Sequence, residues 1–172
     1  MKNEITFRPT TEIDTMKNNI VLTKSVHVKI KKTHKDAVIP KYAKPGDAAV
    51  DLYSVSSRFE RIGDMDYDLN IVYDTGLSIE IPEGYVGLIF PRSSVSKYNL
   101  WLRNAVGVID SGYRGNIILK FGYYNGVTDN SYEIGDRIGQ LMILPYPKIK
   151  FEEVKKLEQS DRGEGGFGST GS

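Results

Sequence analysis

The chain has 172 residues, enough for one domain with a substantial core. Its 23 lysines and arginines against 22 aspartates and glutamates leave a net charge of +1, far from the basic excess of a surface built to coat nucleic acid. Without cysteine there is neither a disulfide nor a thiolate metal site, and two histidines, His27 and His34, are too few to suggest a histidine zinc centre.

Residues 1–24 are polar, with no period of 2 or 3.6, and are expected to form a mobile N-terminal extension or an arm that docks on a partner. Glu4, Glu12 and Asp14 and the lack of an apolar stretch there argue against a secretory signal. No apolar run approaches the roughly 18 residues that cross a bilayer. From Ser25 the pattern changes. Val26, Val28 and Ile30 alternate with His27, Lys29 and Lys31, which predicts a half-buried strand. Leu77, Ile79 and Ile81 alternate again, Pro82-Glu83-Gly84 forms a turn, and 86–90 is an apolar strand. Residues 93–98 suit one short helical turn with a serine at its start. Further strands are predicted over 117–124, 138–144 and 149–154. Many short strands between glycine and proline turns indicate an all-β barrel or sandwich spanning residues 25–160. Residues 161–172 are glycine-rich with one aromatic, cannot pack a core, and would order only around a ligand.

Several segments carry residue types suited to chemistry. Pro91-Arg92-Ser93-Ser94 sits between a strand and a helical turn, where an arginine and hydroxyls suit a phosphate, although such a segment also serves as an ordinary cap. Asp110 lies between an apolar stretch and Ser111-Gly112, which resembles a hairpin tip. It is either a turn residue or a base that orients and deprotonates a water. Tyr113 suits packing against a sugar or a cross-strand neighbour. Asp51 opens a strand, where aspartate is uncommon. Asp136 and Arg137 together suggest a structural ion pair. Gly163, Gly165 and Gly168 form a G-x-G-x-x-G, but the chain stops four residues later, without the helix a dinucleotide fold requires. Arg162 suits a terminal phosphate, Phe167 a base, and Ser169 and Thr170 add hydroxyl donors beside bare glycine N–H groups.

In order, AKPGDAAVDL, PRSS, GVIDSGYRG, GDRIGQL and RGEGGFGSTG resemble the five motifs of the trimeric dUTPase family, over roughly residues 25–171. The resemblance implies a jelly-roll-like β-barrel or sandwich with one short helix, assembled as a homotrimer. It also implies sites between subunits, each closed by a neighbour's C-terminal arm (161–172). The implied reaction is hydrolysis of dUTP to dUMP and pyrophosphate, with Asp110 activating the water that attacks the α-phosphorus. Such a reaction limits uracil incorporation into DNA and supplies dUMP for dTMP synthesis. Asn104, Gly107, Val108 and Ile109 would read uracil through the backbone, and Tyr113 would lie under the deoxyribose. Arg92, Ser93, Ser94 and Gln140 would hold phosphates. Phe167 would cover the base, and Arg162, Gly168, Ser169 and Thr170 would bind the outer phosphates. Magnesium (Mg2+) would ride on the phosphates, with Asp51 reaching it through a coordinated water. Departures from the family pattern are Asp47, Ala49, Ser94 and Gly139. The alternatives are a dCTP deaminase of related fold and a regulatory, partner-binding member whose extension (1–24) contacts a protein. The expected compartment is the cytoplasm, or a host cell's if a virus encodes the chain, with no nucleic acid or membrane partner.

Overall fold

The structure of the protein, a computed structural model, describes residues 25–62, 69–124 and 130–165. Among them are nine strands: β1 (Lys29–Lys32), β2 (Val50–Tyr53), β3 (Ser56–Arg61), β4 (Leu69–Glu80), β5 (Tyr85–Phe90), β6 (Leu100–Leu102), β7 (Gly107–Ile109), β8 (Asn116–Tyr123) and β9 (Arg137–Pro145). A 3-10 helix, Ser93–Lys97, follows β5. The strands form two antiparallel sheets. One runs β1-β4-β8-β6, with β3 also paired to β4, and the other runs β2-β9-β5-β7.

Period-two alternation explains how the sheets face each other. On β8, Ile117, Leu119 and Phe121 point into the core while Ile118 and Lys120 do not. On the second sheet Leu52, Ile89 and Leu141 meet them, and all belong to one apolar cluster. Each such side chain, taken fully out of water, contributes about 1.5–3 kcal/mol. The core is closed at one end by aromatic rings: Tyr73, Phe121, Tyr132 and Tyr98 contact one another, with Tyr98 and Tyr132 centroids 4.2 Å apart.

Four sequence expectations are altered. Strand β1 starts at Lys29 rather than Val26, because pairing begins at Lys29 opposite Glu80; Val28 and Ile30 still pack on the core. Strand β4 begins well before Leu77. Its first half is buried on both faces, so it shows no alternation, and Asn70, Thr75 and Gly76 disguise it. Thr75 is satisfied by donating to the Ile117 carbonyl at 2.8 Å. Gly76 has φ +62, and a Cβ there would lie 2.6 Å from that of His34, so the 33–37 loop depends on glycine at this place. Third, 149–154 forms no strand: Ile149 is 71 % and Phe151 93 % exposed, off both sheets. Finally, Asp110 and Ser111-Gly112 are not the tip of a hairpin. Strand β6 lies in one sheet, β7 in the other and β8 in the first again, so both connections cross between sheets. No helix among the described residues is long and apolar enough to cross a membrane.

Candidate active site

The second sheet assembles three segments that are far apart in sequence. Strand β9 lies between β2 and β5, and Gln140 is opposite Asp51 on one side and Phe90 on the other. Leu52 faces the core, so alternation turns Asp51 outward. Arg92 follows the end of β5 in extended backbone and reaches back across the sheet. Its Nε donates to Asp51 Oδ1 at 2.8 Å and its NH1 to Ser94 Oγ at 3.2 Å. Gln140 Nε2 donates to the Pro91 carbonyl at 3.2 Å, which fixes the start of the same loop. Arg137 NH1 donates to Asp51 Oδ2 at 3.2 Å.

The Arg137 contact corrects the expected Asp136–Arg137 pair. Asp136 instead caps a turn, accepting from the Glu133 N–H at 2.9 Å. The cause is a β-bulge. Leu52 opposes Gly139 while the next residue, Tyr53, opposes Arg137, leaving Ile138 as the extra residue. The bulge turns Ile138 into the core and Arg137 onto the face of Asp51.

Asp51, Arg92, Arg137 and Gln140 line an open cavity of about 870 Å³, together with Lys44, Asp47, Ser93, Ala105 and Met142. Its charged lining is Lys44, Arg92 and Arg137 against Asp47 and Asp51, a cationic excess suited to an anion. Asp47 is partly committed, its carboxylate accepting the Lys44 N–H at 2.8 Å. Gly139 lies beneath: a Cβ there would strike the Leu119 side chain and approach the Phe90 carbonyl oxygen at 3.2 Å. An alanine at this position would therefore press on the strand that leads into Arg92.

Asp110 and Tyr113 lie elsewhere. They line a smaller cavity of about 220 Å³ with Val108, Ile109, Asn116 and Ile118. Asp110 is exposed at the β7–β8 crossing, its carbonyl accepting the Tyr113 N–H at 3.1 Å. Tyr113 Oη donates to the Asn116 carbonyl at 3.0 Å, and its ring lies so close over Gly115 that a Cβ there would be 2.7 Å from Cζ. Arg114 ties the turn by donating to the Ser111 and Tyr113 carbonyls. Val108 is 61 % exposed, an apolar side chain on an open rim. The two cavities share no lining residue.

Comparison with known proteins decides what these motifs belong to. A family model described as dUTPase matches residues 35–171. The chain belongs to the dUTPase family. It is 39 % identical over 147 residues to a deoxyuridine 5'-triphosphate nucleotidohydrolase of Clostridium acetobutylicum, covering 85 % of this chain and 97 % of that one. It is 41 % identical over 149 residues to the enzyme of that name from Escherichia phage T5, covering 84 % and 99 %. Among solved structures it resembles a Staphylococcus bacteriophage 80alpha dUTPase variant with dUpNHpp, at a TM-score of 0.69 and 28 % identity, over 86 % of this chain and all of that one. A variant dUTPase of S. aureus phage phi11, described as revealing coordination of a structural Mg(II) ion, matches at a TM-score of 0.60 and 26 % identity, over 78 % and 100 %.

Of the expected residues, Asp51, Arg92, Ser93 and Gln140 are brought together, and Ser94 stands beside them through Arg92. Val108, Ile109, Asp110 and Tyr113 form the second group. Gly107 and Asn104 flank it, packed so closely that a Cβ on Gly107 would lie 3.4 Å from Asn104 Nδ2. Arg162 is in neither group; its Nε donates to the Gly165 carbonyl at 2.9 Å within a local turn. Phe167, Gly168, Ser169 and Thr170, like the 1–24 extension, lie outside the described residues. Lys44 and Ala105 went unnoticed in the sequence. Ala105 has φ +55, left-handed backbone that is strained for any residue but glycine, at the crossing from β6 to β7.

Proposed function

We propose that the protein hydrolyses dUTP to dUMP and pyrophosphate, in a homotrimer whose sites are each built from more than one chain. The observation that carries this reading is the division of the motifs. Asp51, Arg92 and Gln140 converge on one cavity, whereas Asp110 and Tyr113 line another with no shared residue. A water-activating carboxylate and a phosphate-binding loop must meet at one phosphorus, which a second copy accomplishes by laying one cavity against the other. The exposed Ile149, Phe151 and Leu157 supply apolar surface for such an assembly, and Tyr146 and Val154 extend it.

In this arrangement the β7 backbone (107–109) and Asn104 read the uracil edge through N–H and C=O groups. Cytosine, with the opposite donor pattern, leaves buried groups unpaired. The Tyr113 ring, held flat over Gly115, lies under the deoxyribose and leaves no space for a 2′-hydroxyl. Asp110, exposed and free to face a neighbour, orients a water in line with the α-phosphorus and takes its proton. Arg92, Ser93, Ser94 and Gln140 hold the phosphate chain, stabilising charge as pyrophosphate leaves. The C-terminal arm of a neighbour closes the site, with Phe167 over the base and Arg162, Gly168, Ser169 and Thr170 on the outer phosphates.

The donor set fits magnesium carried by the substrate rather than a protein cage. Asp51 is the carboxylate bonded to Arg92 and paired with Gln140 across the sheet, and both its oxygens already accept from guanidinium groups, leaving lone pairs for coordinated waters. Bound there, Mg2+ supplies charge neutralisation and a fixed phosphate conformation. The expected cellular roles are limiting uracil in DNA and supplying dUMP, in the cytoplasm of the cell or of a virus's host.

Two measurements test this reading. A panel of dUTP, dCTP, dTTP and UTP with magnesium should release pyrophosphate from dUTP alone, with no ammonia from dCTP. Co-refolding Asp110→Asn chains with Arg92→Ala chains should restore about a quarter of wild-type turnover, the statistical share of sites that draw one intact residue from each copy. Mixtures as inactive as either parent would rule out the composite site.

A further inference from the structure

The phosphate loop rests on a tyrosine that neither the motifs nor the proposed reaction assigns a role. Tyr132 precedes the β9 motif and is 4 % exposed, yet its hydroxyl has no well-formed hydrogen bond. A phenol sealed from water without a partner costs about 1–3 kcal/mol, so its retention calls for a reason. The ring cannot swing away. It packs against Tyr98, Tyr73 and Phe121, and its backbone carbonyl accepts from Tyr73 Oη at 2.8 Å. Burial holds its pKa above the ordinary phenol value; the nearby Ser94 hydroxyl and, less strongly, the Arg92 guanidinium oppose that rise, while Tyr98 and Asp136 add to it. The hydroxyl is therefore near Ser94 and Arg92 of the loop that follows β5, without a well-formed hydrogen bond to either.

Ser94 explains what such a neighbour does. A serine hydroxyl has one proton and two acceptor sites. Arg92 NH1 already occupies one acceptor at 3.2 Å. We propose that Tyr132 is a positioning residue: its Oη–H fills the second acceptor of Ser94, so that Ser94 Oγ can only donate, and donates outward to the phosphate chain. Arg92 is aligned by the same contact, since its fork spans Ser94 and Asp51. The rigid ring sets where Ser94 must sit when the loop closes on a substrate, and the missing bond forms at that moment.

The inference rests on the proposed phosphate-binding role of the 91–94 loop, and the experiment separates the two. Steady-state kinetics with dUTP and equilibrium binding of dUMP, which has no outer phosphates, are measured for Tyr132→Phe, Ser94→Ala and the double variant. Tyr132→Phe should raise the thermal midpoint, because it removes a buried unpaired hydroxyl, keep dUMP affinity, and lower kcat/KM for dUTP about five- to tenfold, the worth of one neutral hydrogen bond. In the Ser94→Ala background the same substitution should change kcat/KM less than about twofold, because the group it acts through is gone. An undiminished effect in that background would make Tyr132 a general packing residue and overturn the proposal. So would a Tyr132→Phe enzyme of wild-type kcat/KM alongside an impaired Ser94→Ala. If Ser94→Ala itself hydrolyses dUTP normally, the phosphate-loop reading of Ser94 fails first.

Discussion

Replacing Asp51 by alanine tests the electrostatic frame of the larger cavity. The carboxylate is 19 % exposed and Arg92 24 %, with 2.8 Å between Nε and Oδ1, so this is a shielded, charge-assisted bond worth about 1.5–3 kcal/mol. Arg137 is different: it is 47 % exposed and 3.2 Å away, and solvent screening limits its contact to under about 1 kcal/mol. Asp51→Ala leaves the Arg92 guanidinium with Ser94 Oγ as its remaining hydrogen-bond acceptor, so the expected loss of stability is about 2–4 kcal/mol. Asp51→Asn keeps an acceptor for Arg92 and should cost about half as much. The assay is urea unfolding at fixed protein concentration, read as a shift of midpoint at constant slope. Double-mutant cycles with Arg92→Met and Arg137→Met then divide the loss. The Asp51–Arg92 coupling should exceed the Asp51–Arg137 coupling by about 1 kcal/mol or more. An Asp51→Ala protein within about 0.5 kcal/mol of wild type, or a coupling dominated by Arg137, would refute the reasoning.

Asp110→Asn should bind dUpNHpp with near-normal affinity and lose at least about a hundredfold in turnover, as expected when a general base is removed; a near-normal rate would remove Asp110 from that role. Truncation before Arg162 should abolish dUTP hydrolysis while gel filtration still reports the trimer, and a fully active truncated protein would exclude the closing arm. Burial pushes the Tyr73 phenol up to about 12. Its stabilising effect is therefore complete below pH 10, where the unfolded chain titrates, and is lost between pH 10 and 12, to the extent of about 2–3 kcal/mol. Tyr73→Phe should flatten the fall in urea midpoint across that window, at the cost of the bond to the Tyr132 carbonyl, and an unchanged slope would place the alkaline loss on other groups.

What the sequence made legible follows period and chemistry. β5 and β8 were plain because each alternates cleanly or is bounded by turn residues. The first half of β4 was not, because burial on both faces erases alternation and Asn70 and Thr75 look like loop residues until their partners are known. Asp51 stood out as an aspartate in a strand, and the structure supplies the reason in two guanidinium partners. Arg137 was assigned to its neighbour Asp136 because sequence proximity is the default guess for an ion pair. Only the bulge at Ile138, a property of the β2–β9 register, reveals that Arg137 shares a face with Asp51. No local pattern encodes a bulge of that kind. The Tyr132 hydroxyl was equally hidden, since an aromatic ahead of a strand looks like core whether or not it carries a polar tip.

The same distinction bears on the assembly. Motifs read in order suggest one site, yet a single copy of the fold separates them into two cavities and leaves an apolar C-terminal segment uncovered. Burying Phe151 alone, now 93 % exposed, would contribute about 1.5–3 kcal/mol, and Ile149 and Leu157 lie on the same short segment. In the proposed homotrimer, this exposed apolar segment joins the chain to a second copy. The proposed composite site gives the division into two cavities the same explanation. Among the described residues none of the proposed phosphate-binding groups lines the Asp110 cavity, so on the composite-site reading activity and assembly should be lost together whenever the contact between copies is broken.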